Sequence, residues 1–207
     1  MSIRKSTTSR QSKTAVGKPP PARPAAPEKR AVSVTVAQKP VTPERTRGER
    51  QFWLLKTEPG TFSFDDLVKA PRSTTGWSGV RNFQARNFMR DGMRLGDGVF
   101  IYHSSTLEPA VIGLAEVVRE GYPDPTAFEK DDPYFDPPST REAPTWIQVD
   151  VRAVRPLKRP VALATLRRTT ALTGMALLRK GNRLSVQPVT ALEWAEICRL
   201  GDGGKAS

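Results

Sequence analysis

The first 50 residues contain seven prolines and no aromatic residue, and the chain then changes character within four positions, at Phe52-Trp53-Leu54-Leu55. This break limits what can fold. A segment with so few apolar anchors cannot bury enough surface to offset the entropy of ordering it. Residues 1–50 are therefore expected to form a disordered arm. Val32, Val34 and Val36 alternate as a strand would, but no neighbouring hairpin signal supplies a partner. The expected domain is residues 51–201, about 150 residues and so of ordinary size, with residues 202–207 as a disordered C-terminus.

Charge divides at the same place. The arm holds twelve Lys or Arg against three acids, which is +9 of the chain's +12 and leaves +3 for the rest. Overall charge therefore does not by itself make the folded part a nucleic-acid binder. A polycationic arm either adds sequence-independent, salt-sensitive affinity for phosphates or is a solvated extension, and composition leaves both readings open.

Other classes are limited by counts. Cys198 is the only cysteine, so neither an intramolecular disulfide nor a cysteine zinc cage can form within this chain. No apolar run approaches the roughly 18 residues of a membrane helix, and the N-terminus lacks the apolar core of a secretory signal. The Arg- and Ser-rich opening has the composition of a transit peptide but little amphipathic pattern. A cytoplasmic location is expected in a bacterium and a nuclear one in a eukaryote.

Phe52 to Leu55 reads as a buried strand ended by Pro59-Gly60, and Ser63 with Asp66 reads as the capping box of a short helix that Pro71 closes. Ala85, Phe88 and Met89 share one face of a helix over residues 84–91, with Gly92 as its stop. Strands are expected over 99–103, 110–118, 146–154 and 183–187, and helices over 163–172 and 191–200. Within the last helix Trp194 and Cys198 lie four apart, which makes Cys198 a core filler rather than a nucleophile. Residues 121–144, rich in Pro, Asp and Tyr, form a loop long enough to suspect a function. Short strands mixed with short helices, without regular alternation, fit an α+β fold built as a small mixed barrel with peripheral helices.

Catalytic parts are scarce. His103 is the only histidine, so no histidine pair can hold a metal, and no metal or cofactor is expected. Ser104 and Ser105 lie next to it, but no nucleophile-elbow pattern surrounds them, and no phosphate-binding glycine loop is present. The segment from Gly76 to Asn87 stands out instead, with Trp77, Arg81, Asn82, Gln84, Arg86 and Asn87 at a loop-to-helix junction. Carboxamides match a base edge with a donor and an acceptor, Arg suits phosphate, and Trp offers a stacking platform. The same residues also fit a helix cap at Asn82, a core plug at Trp77 and a solvated Arg pair.

The stretches Trp53-Leu54-Leu55-Lys56-Thr57-Glu58-Pro59, Gly79 to Phe88, Phe100-Ile101-Tyr102-His103-Ser104, Tyr122 to Thr126 and Arg183 to Pro188 together resemble the EVE domain family of the PUA-like superfamily. The resemblance spans residues 51–200. It implies a PUA-like mixed β-barrel and, by analogy with YTH-type readers, a pocket for a modified base in DNA or RNA. One departure is Ser78, where the family's Trp-Asp-Gly-Val pattern has an acid.

The expected mechanism is base flipping without chemistry. The base would lie on Trp77, with Trp53 or Tyr102 as a second wall and His103 and Ser104 lining the pocket. Asn82, Gln84 and Gln187 would read the base edge and Glu58 would accept from an exocyclic amine. Lys56 would contact the base or its backbone, and Arg81 and Arg86 the phosphates. The rival readings are a nucleoside- or nucleic-acid-modifying enzyme that uses Glu58 or His103 as acid or base, and a protein-interaction module.

Overall fold

The computed structural model describes residues 48–205, so the expected disordered arm, apart from its last three residues, and the final two residues lie outside the described part. The elements run β1 (Phe52–Thr57), α1 (Phe64–Lys69), β2 (Thr74–Gly76), α2 (Phe83–Asn87), β3 (Gly98–His103), β4 (Ala110–Pro123), β5 (Ile147–Ala162), α3 (Leu163–Arg168), β6 (Val186–Val189) and α4 (Ala191–Gly201). The strands form one mixed sheet in the order β2-β5-β4-β3-β1-β6. β1 and β3 pair in parallel, and the other pairs are antiparallel.

Both faces of this sheet are buried. Alternation along the strands sends Trp53, Leu55, Val99 and Ile101 into one apolar layer and Leu54, Phe100 and Tyr102 into the other. This explains why β1 and β3 read as continuous apolar runs rather than alternating ones. Trp194 of α4 covers the second layer, stacking on Phe52 and Phe100 at centroid distances of 4.5 and 4.1 Å. Cys198 lies half-buried against the same layer.

The sheet curls. β2 and β6 are at opposite ends of the strand order, yet Gly76 of β2 and Ser185, just before β6, line one cavity. The two ends of the sheet therefore face each other across a gap that no ladder hydrogen bonds close. The α+β class and the PUA-like mixed barrel take this form, with the short helices outside it.

Several elements differ from the sequence reading. β5 runs through Pro156 and Pro160, which sequence alone places after the strand. It can do so because four residues of β5, 157–160, lie opposite Ile112 alone, and β2 pairs with β5 only over Asp150–Arg152. Proline's missing donor is tolerated at such a bulged, one-sided position. β2 lies in what reads as a polar loop, because its pairing with β5 supplies the strand that its composition does not. The helix expected over 84–91 is α2 followed by a π-helical turn, Phe88–Gly92. At the C-terminus Asp202 pairs with Arg155 at 3.1 Å, and the Gly203 and Gly204 amides donate to Leu200 and Arg199 carbonyls, so residues 202–204 fold back on α4. Among the described residues no helix is long and apolar enough to cross a membrane.

Candidate functional site

The gap between the sheet's ends is a half-open cavity of about 450 Å³. That is within the span of roughly 300–1,000 Å³ typical of small-molecule sites. One wall is the turn that ends β1. The Thr61 and Phe62 amides both donate to the Glu58 carbonyl at 2.9 Å, and Thr57 Oγ1 donates to the Phe62 carbonyl at 2.7 Å, which holds the Phe62 ring at the cavity. Glu58 is fixed from outside, where Ser105, in the left-handed region at φ +52°, donates its hydroxyl to Oε1 at 2.8 Å. Lys56 is tied by its backbone amide to the Ser185 carbonyl at 2.8 Å. Its ammonium has no ion pair among the described residues, and burial lowers its pKa from the ordinary lysine value.

The opposite wall is Trp77-Ser78-Gly79-Val80. The Trp77 amide donates to the Val149 carbonyl at 2.7 Å, which continues the β2–β5 pairing one residue past the strand. The ring packs edge-on to Phe62 at 6.3 Å and keeps 7% of its surface open. Its indole N–H has no acceptor among the described residues, whereas Trp53 and Trp146 each donate to a carboxylate. Trp77 is thus both a core residue and a cavity wall.

A buried carboxylate holds this wall. Asp124, fully buried, accepts from the Gly79 amide at 2.9 Å, Arg81 Nη1 at 2.8 Å and both Thr126 donors. Burial pushes its pKa up, but the bonds from Arg81, Thr126 and Gly79 outweigh that and hold it below the ordinary aspartate value. Arg81 also bonds the Tyr134 carbonyl and lies over the Tyr134 and Trp146 rings. The long loop is anchored in this way, and Tyr134 lines the cavity directly over Gly79.

Of the twelve residues expected at the site, the cavity brings together Lys56, Glu58 and Trp77. The others lie elsewhere, for identifiable reasons. Trp53 is fully buried and donates its indole N–H to Asp97 at 3.0 Å, so it cannot form a wall. Tyr102 belongs to the apolar layer on the opposite face of the sheet. Ser104 donates its hydroxyl to the Thr57 carbonyl at 3.1 Å and props up the end of β1. His103 accepts the Phe64 amide on Nε2 at 3.0 Å and opens toward a separate hollow lined by Pro59, Glu108 and Pro160.

The polar reader assignments meet the same difficulty. Asn82 caps α2, its Oδ1 accepting from the Gln84 and Ala85 amides at 3.0 and 3.1 Å, and the half-buried Gln84 side chain does not line the cavity. Gln187, 1% exposed, donates to the Leu184 carbonyl at 2.8 Å and accepts from Asn182. Arg81 is occupied by Asp124, and Arg86 donates to Asn87 and the Thr145 carbonyl while lying over Phe83. Every nitrogen of the Arg81 guanidinium has an internal partner, and so do Nε and Nη1 of Arg86. Ser78, singled out as a departure from the family pattern, also lines the cavity, and so do Phe62, Tyr134, Ser185 and the threonines 57, 61 and 75, which lie outside the expected set. Only Tyr134 had a signal, the length of the loop that carries it. Among the described residues no group of three His, Cys, Asp or Glu could hold a metal.

The EVE domain family matches residues 51–200. Human thymocyte nuclear protein 1 is 43% identical over 165 residues, covering 72% of each chain. A hypothetical protein from Leishmania major has a solved structure that is 49% identical with a TM-score of 0.70, over 74% of this chain and 96% of that one. The crystal structure of human THYN1 in complex with 5-methylcytosine-containing DNA is 43% identical with a TM-score of 0.69, over 73% and 98% of the two chains. From the curled sheet, the cavity at its seam and these matches, the chain belongs to the EVE domain family.

Proposed function

We propose that the cavity receives a modified nucleobase turned out of its stack, a methylated cytosine in DNA foremost, and holds it without changing it. The observation that carries this reading is the make-up of the cavity, where the Trp77 ring, 7% exposed, faces a wall bearing Lys56 and Glu58. The relative crystallised with 5-methylcytosine-containing DNA, 43% identical and matched over nearly its whole length, supports it.

The base lies on Trp77 with Phe62 and Tyr134 as the remaining aromatic walls. Stacking contributes roughly 1–3 kcal/mol per base, and unstacking costs a few kcal/mol, so the aromatic walls alone roughly break even. The polar groups decide affinity. Cytosine presents an amine donor beside two acceptors. Glu58, held by Ser105, accepts from the amine, and the Lys56 ammonium, which lacks a counter-ion among the described residues, donates to an acceptor. Ser78 supplies a hydroxyl where the family pattern has an acid, so the carboxylate for the amine comes from Glu58.

Binding of the full chain to fluorescent duplexes that differ only in one base, cytosine or 5-methylcytosine, with further modified bases and RNA counterparts alongside, tests this. Tighter binding to a modified duplex, lost in Trp77→Ala and reduced in Lys56→Met, is expected. Equal affinities for every base would overturn it, and chemical change of the base during incubation would make the protein an enzyme.

A further inference from the structure

We propose that the turn Arg179–Arg183 is a preformed phosphate grip that holds the nucleic-acid backbone beside the cavity, an inference that rests on the base-binding reading above. The two arginines expected to meet phosphates, Arg81 and Arg86, are committed to internal partners, and ion pairs also occupy Arg152, Arg155 and Arg199. Arg179, Lys180 and Arg183 differ from these. All three are exposed, and none of their side chains has an ion pair or hydrogen bond among the described residues. Three uncompensated cations within five residues repel one another, so the arrangement costs the free protein something and suits an anionic ligand.

The turn that presents them is rigid. The Asn182 amide donates to the Arg179 carbonyl at 3.2 Å, and Gly181 takes a φ of +78° that an L side chain rarely adopts. Asn182 then bonds in three directions, from Nδ2 to the Ala176 carbonyl and to Gln187 Oε1 and through Oδ1 from the Leu184 amide. Gln187 completes the brace by donating to the Leu184 carbonyl at 2.8 Å. A half-buried and a buried carboxamide, Asn182 and Gln187, thus brace the turn, and little backbone motion remains to be lost on binding.

The turn leads directly into the cavity wall. Ser185 lines the cavity, and its carbonyl accepts the Lys56 amide. Arg183 is two residues away, roughly 7 Å at most along an extended chain. A base seated on Trp77 therefore brings its flanking phosphates to the side of the cavity where these cations stand. Phosphate contacts position a nucleic acid without reading its sequence, so the turn supplies affinity and the cavity supplies preference.

The test uses the full chain carrying Arg179→Gln, Lys180→Gln and Arg183→Gln together, and each singly. Dissociation constants are measured against salt concentration for duplexes with and without 5-methylcytosine. Affinity for both duplexes should fall by the same factor, and the slope of log K against log salt should flatten by roughly 2–3 units in the triple variant, at about 0.9 per phosphate contact. An unchanged slope in a protein that still binds would overturn the grip. If the wild type shows no base preference while the triple variant still flattens the slope, the base-reading proposal fails and the grip stands. If the wild type binds no oligonucleotide, both fail. Unfolding curves should coincide with wild type, since the three side chains make no contact that the fold uses.

Discussion

Tyr134 closes over Gly79 so tightly that a Cβ on Gly79 would stand 2.7 Å from its Cε2, and the glycine itself has a φ of +75°. Gly79→Ala is therefore opposed twice, by the ring and by the backbone, the latter costing roughly 1–2 kcal/mol. The variant should melt lower and lose ligand affinity as the Tyr134 wall is displaced. Adding Tyr134→Ala should relieve the steric part only, so a double-mutant cycle in stability should be non-additive. Additivity would mean that the ring gives way without cost.

Trp77 has two roles, so its variants should separate by size. Trp77→Ala should destabilise the domain by roughly 3–5 kcal/mol as well as abolish base preference. Trp77→Phe should keep most of the stability while weakening the preferred ligand selectively. Unfolding and binding measured on one preparation distinguish the two effects. Full affinity in Trp77→Phe would show that the indole N–H and the larger ring contribute nothing to recognition.

Lys56 is half-buried without an acid partner among the described residues, so removing its charge takes away a desolvation cost. Lys56→Met should leave stability unchanged or raise it, yet weaken binding about 10- to 100-fold, as expected for a lost hydrogen bond to a charged group. Loss of stability instead would point to a structural role for the ammonium.

His103 gives a pH dependence whose sign follows from its bond. Nε2 accepts the Phe64 amide, which requires the neutral ring, and burial lowers the pKa, opposed in part by Asp65. The folded pKa is below the unfolded value of about 6.5. Below that pH the unfolded chain binds the proton first, so the contribution is complete above about pH 6.5 and is lost as pH falls toward the folded pKa. Denaturant melts across this range should show the slope, and His103→Gln should remove it, because the chain has no other histidine.

Asn82 and Arg86 serve the fold, and their variants should show it. Asn82→Ala should cost about 1 kcal/mol of stability as a lost helix cap, which Asn82→Asp largely restores. Arg86→Gln should release the Thr145 carbonyl and lower the melting temperature without altering the salt dependence of binding. A flatter salt slope in Arg86→Gln would return it to the phosphate contacts.

Local chemistry made much of the protein legible from its sequence. The strand that begins at Phe52 followed from apolar content, the capping box at Ser63 and Asp66 from side-chain reach, and the burial of β1 and β3 from runs that only two-sided burial explains. Each depends on neighbours a few residues away. Trp77 stood out for its residue type, whereas Lys56 and Glu58 were singled out only through the resemblance to the EVE family; all three line the cavity.

What sequence could not decide was which polar groups remain free. Asn82, Gln187, Arg81 and Arg86 carry the donors and acceptors of a base reader, but folding brings each to an internal partner, as far as 59 residues away for Arg86. A buried polar group must be paired, and the sequence does not say which ones the fold buries. Ser185 reaches the cavity only because the sheet curls until its end strands face each other, a relation between residues more than 100 positions apart, and Tyr134 reaches it because Arg81, 53 positions away, anchors its loop. The sequence alone determined which residue types were available to hold a base. Tertiary structure decided which were already engaged and which line the cavity, because that depends on the partners folding brings to each side chain and on the closure of the sheet.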